Sequence, residues 1–410
     1  MSSVSKKPLK DMEIYADHGL DKIITHGAGS KFISSCIAKF RSDKNGEKKI
    51  LFITDEKIWK NCQKFFPSDF KNEIAAELFL KDPKADEKNL KQIFSALKDC
   101  ELILGFGSGT INDLCKYAAA QKNVSYSIIA SALSMNGYLS KNASITISDH
   151  KKTLPATLPK NVFCDFRILK SAPIFLTKAG IGDSMCFYSC WFDWYLSHKI
   201  LGTKFDERPF LMLKKKMNFL VKNFRQFSLR DDSFLKLLSE ILLLSGYGMT
   251  IAEGSYPASQ SEHMISHAIE MKYPKLAKKN LHGAQIAVTT ITSTQLQNEL
   301  LKSNKFPKFF DEKKDVDKFF GKKIAAECDK EYSQKIEAIK IAKSANWDEI
   351  KKSLRKIFFD ESKLKSLFSH FKVSTSSRSL GLSKKEYREC VKYSKYIRNR
   401  FTCLDVSKFD

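Results

Sequence analysis

The sequence predicts an α/β amino-terminal domain of stacked βα units followed by a helical carboxy-terminal domain. From Lys22 to about Leu169, short β-branched or apolar runs alternate with helical stretches, the pattern of stacked βα units. One strand-to-helix junction in that region is rich in glycine, as phosphate binding requires. Beyond Ser171-Ala-Pro173 the texture changes to long amphipathic helices, so the expected domains are residues 1–172 and 173–410. A chain of 410 residues also exceeds what one ordinary core supports.

Taken in order, Lys49-Ile-Leu-Phe-Ile-Thr54 reads as a buried strand. Asp55 follows at its carboxyl end, where it either caps the next helix or accepts hydrogen bonds from a ribose. Glu101-Leu-Ile-Leu-Gly105 is a second strand, running into Phe106-Gly-Ser-Gly-Thr-Ile-Asn-Asp113 and a helix from Leu114. Glycines there permit close backbone approach, and exposed N–H groups at the positive end of a helix favour a pyrophosphate. The spacing is neither Gly-x-Gly-x-x-Gly nor the Walker pattern. Ser125-Tyr-Ser-Ile-Ile-Ala130 is a third strand, followed by the hydroxyl-rich loop Ser131–Ser140, and Ser144–Leu169 reads as extended structure returning to the sheet. Helices are expected over Asp183 to Ile200, Asp232 to Leu244, His263 to Met271, Gln285 to Lys302, Asp315 to Cys328 and Lys384 to Arg400. The lysine-rich passage Lys302–Lys323 reads as a solvated connection and helix face.

Composition narrows the function classes. Lysine and arginine exceed aspartate and glutamate by 70 − 46 = 24, which favours anionic partners such as phosphorylated metabolites. The lysines are dispersed, without a basic arm or zinc-finger spacing, against a dedicated nucleic-acid module. No apolar run approaches the roughly 18 residues of a membrane helix, so membrane insertion is not expected. The start, Met1-Ser-Ser-Val-Ser-Lys-Lys-Pro-Leu-Lys10, lacks the apolar segment of a secretory signal, and a cytoplasmic location is expected. The ten cysteines contain no Cys-x-x-Cys pair and read as free thiols. Cys186 and Cys190, four apart on a helix, read as core packing.

The residues with most chemical content are Asp183 in Gly180-Ile-Gly-Asp183, His263 and His267 in Ser261-Glu-His-Met-Ile-Ser-His267, and His282 in Leu281-His-Gly283. His263 and His267 share one helix face. A helical hairpin turning near Lys272-Tyr-Pro274 brings His282 back beside His263, with Asp183 supplied by a neighbouring helix. One carboxylate and two imidazoles make an open site for zinc, nickel or ferrous iron. His18, His26, His150, His198 and His370 lack comparable partners and read as surface or core residues.

Together, Gly107-Ser-Gly-Thr-Ile-Asn-Asp-Leu-Cys-Lys-Tyr-Ala118, Ser134-Met-Asn-Gly-Tyr138, Gly180-Ile-Gly-Asp183, Pro257–His267, Leu281-His-Gly283 and the ending Lys395–Asp405 resemble the sn-glycerol-1-phosphate dehydrogenases, particularly the bacterial form. That family lies within the dehydroquinate synthase-like, iron-containing alcohol dehydrogenase superfamily. The resemblance implies the dehydroquinate synthase-like fold, with a Rossmann-like nucleotide-binding α/β domain before an all-α domain, NAD or NADP as cofactor, one divalent metal, and a homo-oligomer acting on a small phosphorylated substrate in a cleft between the domains. Asp183, His263 and His282 would bind the metal, with Asp183 also facing the substrate. His267 would contact substrate and assist proton transfer. Gly109, Thr110, Ile111, Asn112 and Asp113 would hold the pyrophosphate, with Asp55, Ser131, Ser134 and Ser140 completing the cofactor contacts. The implied reaction is reversible reduction of dihydroxyacetone phosphate to sn-glycerol 1-phosphate.

One departure concerns the substrate loop. The family pattern Ser-Met-Asp-Gly-Tyr has Asn136 here. An amide keeps hydrogen bonding but loses a charge, so Asn136 cannot act as a carboxylate base. It either accommodates a larger or more anionic polyol phosphate or is simply tolerated. Two other readings use the same fold: a sugar-phosphate cyclase of dehydroquinate synthase type, whose pattern has Glu where this chain has Asp183, and a non-catalytic descendant.

Overall fold

A computed structural model describes residues 23–43, 46–148, 150–309, 315–341 and 346–409. The leader-sequence reading at Met1–Lys10, His18 and part of the lysine-rich passage fall outside them. By contacts the chain forms two compact units: residues 1–177 with 211–216 and 228–250, and residues 178–210 with 217–227 and 251–410. Asp232–Thr250 therefore packs with the first unit although it follows Pro173 in sequence.

The first unit is built on β1 (Ile24–Gly27), β4 (Ile50–Asp55), β5 (Ala76–Leu80), β6 (Leu102–Gly107), β7 (Ser125–Ala130) and β10 (Val162–Asp165). They form a six-stranded sheet in the order β1-β10-β7-β6-β4-β5, parallel throughout. β4 and β6 read as unbroken apolar runs because helices cover both faces of a parallel sheet. Those helices are α1 (Ser30–Arg41), α2 (Glu56–Cys62), α3 (Glu87–Leu97), α4 (Gly109–Lys122) and α5 (Phe166–Ser171). Phe52, Phe66, Phe70 and Phe106 pack on one face, with the Phe52 and Phe70 rings edge-on at 4.9 Å. The short ladder of β2 (Ser42–Asp43) with β3 (Gly46–Glu47) is peripheral, and β8 (Asn142–Ile147) pairs antiparallel with β9 (His150–Pro155) as a separate hairpin. Only Val162–Asp165 of the stretch expected to return to the sheet does so.

The principal helices after Ser171 are α6 (Ile174–Leu201), α7 (Arg208–Asn223), α8 (Asp232–Ile251), α9 (Ser261–Lys272), α10 (Pro274–Ala277) and α11 (His282–Lys302). In the second unit, Met264, Ile265 and Ile269 of α9 join one core with Val288, Cys390 and Tyr396, while Phe192, Leu196, Leu300 and Trp347 form another. Contrary to the sequence reading, α8 is long and apolar enough to cross a membrane by length and composition. In the fold, 61% of its apolar window is buried within the protein.

Several helix boundaries differ from expectation, among them the end of α8, at Ile251 rather than Leu244. α4 begins at Gly109, not Leu114, because Gly107 lets the chain turn at once: a Cβ there would lie 2.5 Å from the Ile111 Cβ. Asp183 lies inside α6 rather than at a helix start. The helix expected over Asp315–Cys328 is interrupted at Gly321, whose φ of +85° suits glycine. The last helix spans Lys384–Ser394, ending well before Arg400, and the Lys395 carbonyl beyond it accepts from buried Lys335 at 2.5 Å.

Candidate metal centre and phosphate cradle

In the second unit, glycines set the metal-ligand geometry. A Cβ on Gly182 would stand 2.1 Å from the Gly283 carbonyl oxygen, and a Cβ on Gly283 would stand 1.9 Å from the Ala179 carbonyl oxygen. Only two facing glycines permit α6 and the start of α11 to approach so closely. Each is followed or preceded by a candidate ligand, Asp183 after Gly182 and His282 before Gly283, so the backbone approach delivers the side-chain approach. The turn at Tyr273-Pro274 and the short α10 then return the chain from α9 to α11, as the hairpin reading expected.

Asp183, His263 and His282 each present a ligand atom, all within 4.8 Å of one another. His282 Nε2 lies 3.2 Å from His263 Nε2 and 3.7 Å from Asp183 Oδ1. Two nitrogens about 2.0–2.1 Å from a shared tetrahedral ion would be roughly 3.3 Å apart, so the imidazole spacing already fits a metal and the carboxylate needs only a small adjustment. The Asp183 side chain is 1% exposed and that of His282 38%, leaving one side of the triad open. A three-residue donor set with an open side is the catalytic rather than the structural arrangement. His263 Nδ1 meets Glu262 Oε1 at 2.9 Å, so Nε2 is the nitrogen turned to the ligand point.

His267 lies outside the triad. Its ring centroid is 6.2 Å from that of His263 and 6.4 Å from that of His282, and its Nδ1 meets Glu270 Oε2 at 3.0 Å. Burial pushes its pKa down to about 4, with Arg398 acting in the same direction and Glu270 opposing. It is therefore a neutral imidazole at ordinary pH, able to accept a proton.

In the first unit, Gly107-Ser108-Gly109 turns the chain from β6 into α4. Ser108 makes no side-chain cap bond, so the first N–H groups of this fourteen-residue helix are not capped by it. Gly109 and Thr110 are half-buried at this turn, while Ile111 is buried in the core. Asn112 is fully buried, its amide reaching the Gly137 carbonyl at 3.4 Å, and Asp113 accepts from the Ser144 N–H at 3.2 Å. Both of these side chains thus bond to the backbone of neighbouring loops. Asp55 accepts from the Lys57 N–H at 2.7 Å and is the cap of α2. Ser131 is buried, with its N–H on the Gly107 carbonyl, whereas Ser134 is half-buried. The Ser140 hydroxyl lies 3.2 Å from the Gly137 carbonyl and 3.0 Å from the Asn142 carbonyl, inside the loop. Asn136 donates to the Ser245 hydroxyl of α8 at 3.2 Å, and Gly246 lets the Asn136 backbone approach that helix, since a Cβ would be 2.1 Å from its carbonyl oxygen.

Two participants were not singled out by motif reading. Glu262 holds His263, and fully buried Lys116 donates to the carbonyls of Gly137 at 2.6 Å, Asn142 at 3.0 Å and Ser140 at 3.2 Å. A charged residue within an otherwise apolar helical run is the signal that marks Lys116, whereas Glu262 lies in a polar stretch that offers no such contrast. Of the other histidines, His26 meets the Ser239 hydroxyl, His198 the Thr203 carbonyl and His370 the Phe227 carbonyl. All ten cysteines are free and buried.

Comparison with known proteins agrees with this architecture. Residues 32–173 match the family described as iron-containing alcohol dehydrogenase. The glycerol-1-phosphate dehydrogenase [NAD(P)+] of Thermococcus sibiricus is 32% identical over 246 residues, covering 60% of this chain and 67% of that protein. The enzyme of that name from Bacillus subtilis is 28% identical over 230 residues, covering 56% and 58%. The chain thus spans about three-fifths of the length of the curated relatives it matches. Among solved structures, a glycerol dehydrogenase from Schizosaccharomyces pombe superposes with a TM-score of 0.63 at 14% identity, covering 95% of this chain and 86% of that one. A probable glycerol dehydrogenase from Sinorhizobium meliloti gives 0.60 at 14% identity, covering 91% and 88%. On the sequence match to the Thermococcus protein, and with the fold in agreement, this chain belongs to the glycerol-1-phosphate dehydrogenase family of the iron-containing alcohol dehydrogenase superfamily.

Proposed function

We propose that the protein is a metal-dependent, NAD(P)-linked oxidoreductase that reversibly reduces dihydroxyacetone phosphate, or a related ketone phosphate, to sn-glycerol 1-phosphate. The observation that carries the reading is the convergence of Asp183, His263 and His282 from three helices onto one point with an open side. The names of the relatives supply the substrate and cofactor class.

When bound, a divalent cation (zinc, nickel or iron) polarises a ketone oxygen and a reduced nicotinamide supplies hydride. Asp183, His263 and His282 hold the cation, the carboxylate offsetting part of its charge. His267, kept neutral by burial, accepts or passes a proton while Glu270 holds its Nδ1. The N–H groups of Gly109, Thr110 and Ile111 receive the pyrophosphate at the positive end of α4. Asp55, Ser131 and Ser134 flank the cofactor, while Asn112, Asp113 and Ser140 keep the surrounding loops in place. Asn136, a neutral amide anchored to α8, orients substrate by hydrogen bonding and takes no proton. The excess of 24 basic residues favours encounter with a phosphorylated substrate.

The test follows NADH and NADPH oxidation spectrophotometrically with dihydroxyacetone phosphate and a panel of other ketone phosphates, after adding zinc, nickel or ferrous ion. Oxidation with at least one ketone phosphate, abolished by chelator, is expected. No oxidation with any of them would refute the dehydrogenase reading in favour of a cyclase or non-catalytic protein.

A further inference from the structure

We propose that Glu262 is a positioning residue that fixes His263 with its Nδ1 protonated and its Nε2 lone pair turned to the metal, and that α6 holds Glu262 in place through Ser189 and Cys190. The inference rests on the metal-site reading above. Glu262 is fully buried, which for a carboxylate is tolerable only with a complete set of donors. Its Oε1 accepts from the Gln260 N–H at 2.7 Å and the Cys190 thiol at 3.1 Å, and meets His263 Nδ1 at 2.9 Å. Its Oε2 accepts from the Ser189 hydroxyl at 2.8 Å. An ionised carboxylate can only accept, so the imidazole nitrogen 2.9 Å from it must be the donor. That sets the tautomer.

The arrangement links two ligands through one helix. Asp183 lies on α6 and binds directly, whereas Ser189 and Cys190, one to two turns later on α6, act on His263 through Glu262. The segment before α9 that supplies the Gln260 N–H is also held, because Arg400 donates to the Ser259 carbonyl and, at 2.7 Å, to the Ser255 hydroxyl. Cys186, Cys190 and Glu262 also lie close enough to suggest a second metal site. Metal binding needs thiolates, and burial raises the Cys190 thiol well above its ordinary pKa. Glu262 Oε1, the oxygen nearest Cys190, is moreover already engaged by three donors. The cluster is a buttress.

The test compares wild type and Glu262→Gln in the full chain by two measurements. The 15N shifts of His263, read before metal is added, should show the Nδ1–H form in wild type and a mixture in the variant. Competition with a chromophoric chelator should show metal affinity weakened about 10–100-fold in the variant. An unchanged tautomer in Glu262→Gln overturns the proposal, whatever the affinity does. If wild type binds no metal, the metal reading fails, and the tautomer measurement still decides the role of Glu262. Should the variant not fold, Ser189→Ala carries the same test through a smaller shift of the tautomer ratio, and no shift in it counts against the proposal.

Discussion

Lys116 in the first unit and Glu262 in the second are both fully buried charges, and each is held largely by neutral partners. Lys116 gathers three backbone carbonyls around Gly137, so it positions a loop. Glu262 gathers a thiol, a hydroxyl and a backbone N–H and passes its remaining demand to an imidazole, so it positions a side chain. Burial pulls the Lys116 pKa down, with Asp113 opposing. Burial alone would raise the pKa of Glu262, but its bonds, led by that from His263, bring it down to about 2. A buried charge thus acts on whatever supplies its last hydrogen bond. In one unit that is backbone beside Asn136, and in the other it is a candidate ligand.

The largest expected effect lies at the second unit. His263→Ala should abolish both metal binding and turnover while circular dichroism stays that of wild type; full activity of this variant would remove the triad from the mechanism.

Next comes the other buried charge. Lys116→Met leaves three carbonyls without their donor and should lower unfolding free energy by about 3 kcal/mol in denaturant titration, with faster amide exchange from Gly137 to Asn142. Exchange that rises equally throughout the unit would show that Lys116 does not act on this loop in particular.

Gly182→Ala tests the backbone approach beneath the triad. Forcing a methyl against the Gly283 carbonyl should cost about 1–3 kcal/mol and weaken metal binding measurably. Unchanged affinity would separate the glycine contact from ligand placement.

The pH dependence of His267 is a finer test. Its folded-state pKa of about 4 lies below the ordinary 6.5, so the folded protein disfavours the charged ring. This contribution makes stability rise as pH increases from about 4 to 6.5, and it is flat above that. An NMR titration should find the ring neutral at pH 6, and a midpoint near 6.5 would contradict its burial. The smallest effect is at Asn136: Ser245→Ala removes one hydrogen bond, about 0.5–1.5 kcal/mol, and should raise KM for the ketone substrate with little change in kcat.

Much of the fold was legible in sequence. Ser125–Ala130 is a strand at the expected residues, because β-branched runs bounded by turns leave few alternatives. The pairing of His263 with His282 was also legible, since a Pro274 turn between two helical stretches permits little else. Asp55 caps the next helix, one of the two roles its place at the strand end allows, and that bond leaves its other oxygen for a ribose. The start of α4 was misplaced because at Gly107 a missing Cβ matters through what packs against it, which local pattern does not contain, whereas the break at Gly321 follows from its positive φ.

By itself, then, the sequence determined the α/β order, the helical hairpin and the identity of the three candidate ligands, because periodicity, turn residues and ligand chemistry are local properties. Only the tertiary structure decided that α8 packs with the first unit, that facing glycines bring Asp183 to His282, and that Lys116 and Glu262 are buried organisers. Those outcomes depend on which distant surfaces exclude water together, and the cost of burying an unsatisfied charge leaves Lys116 and Glu262 only where their partners converge.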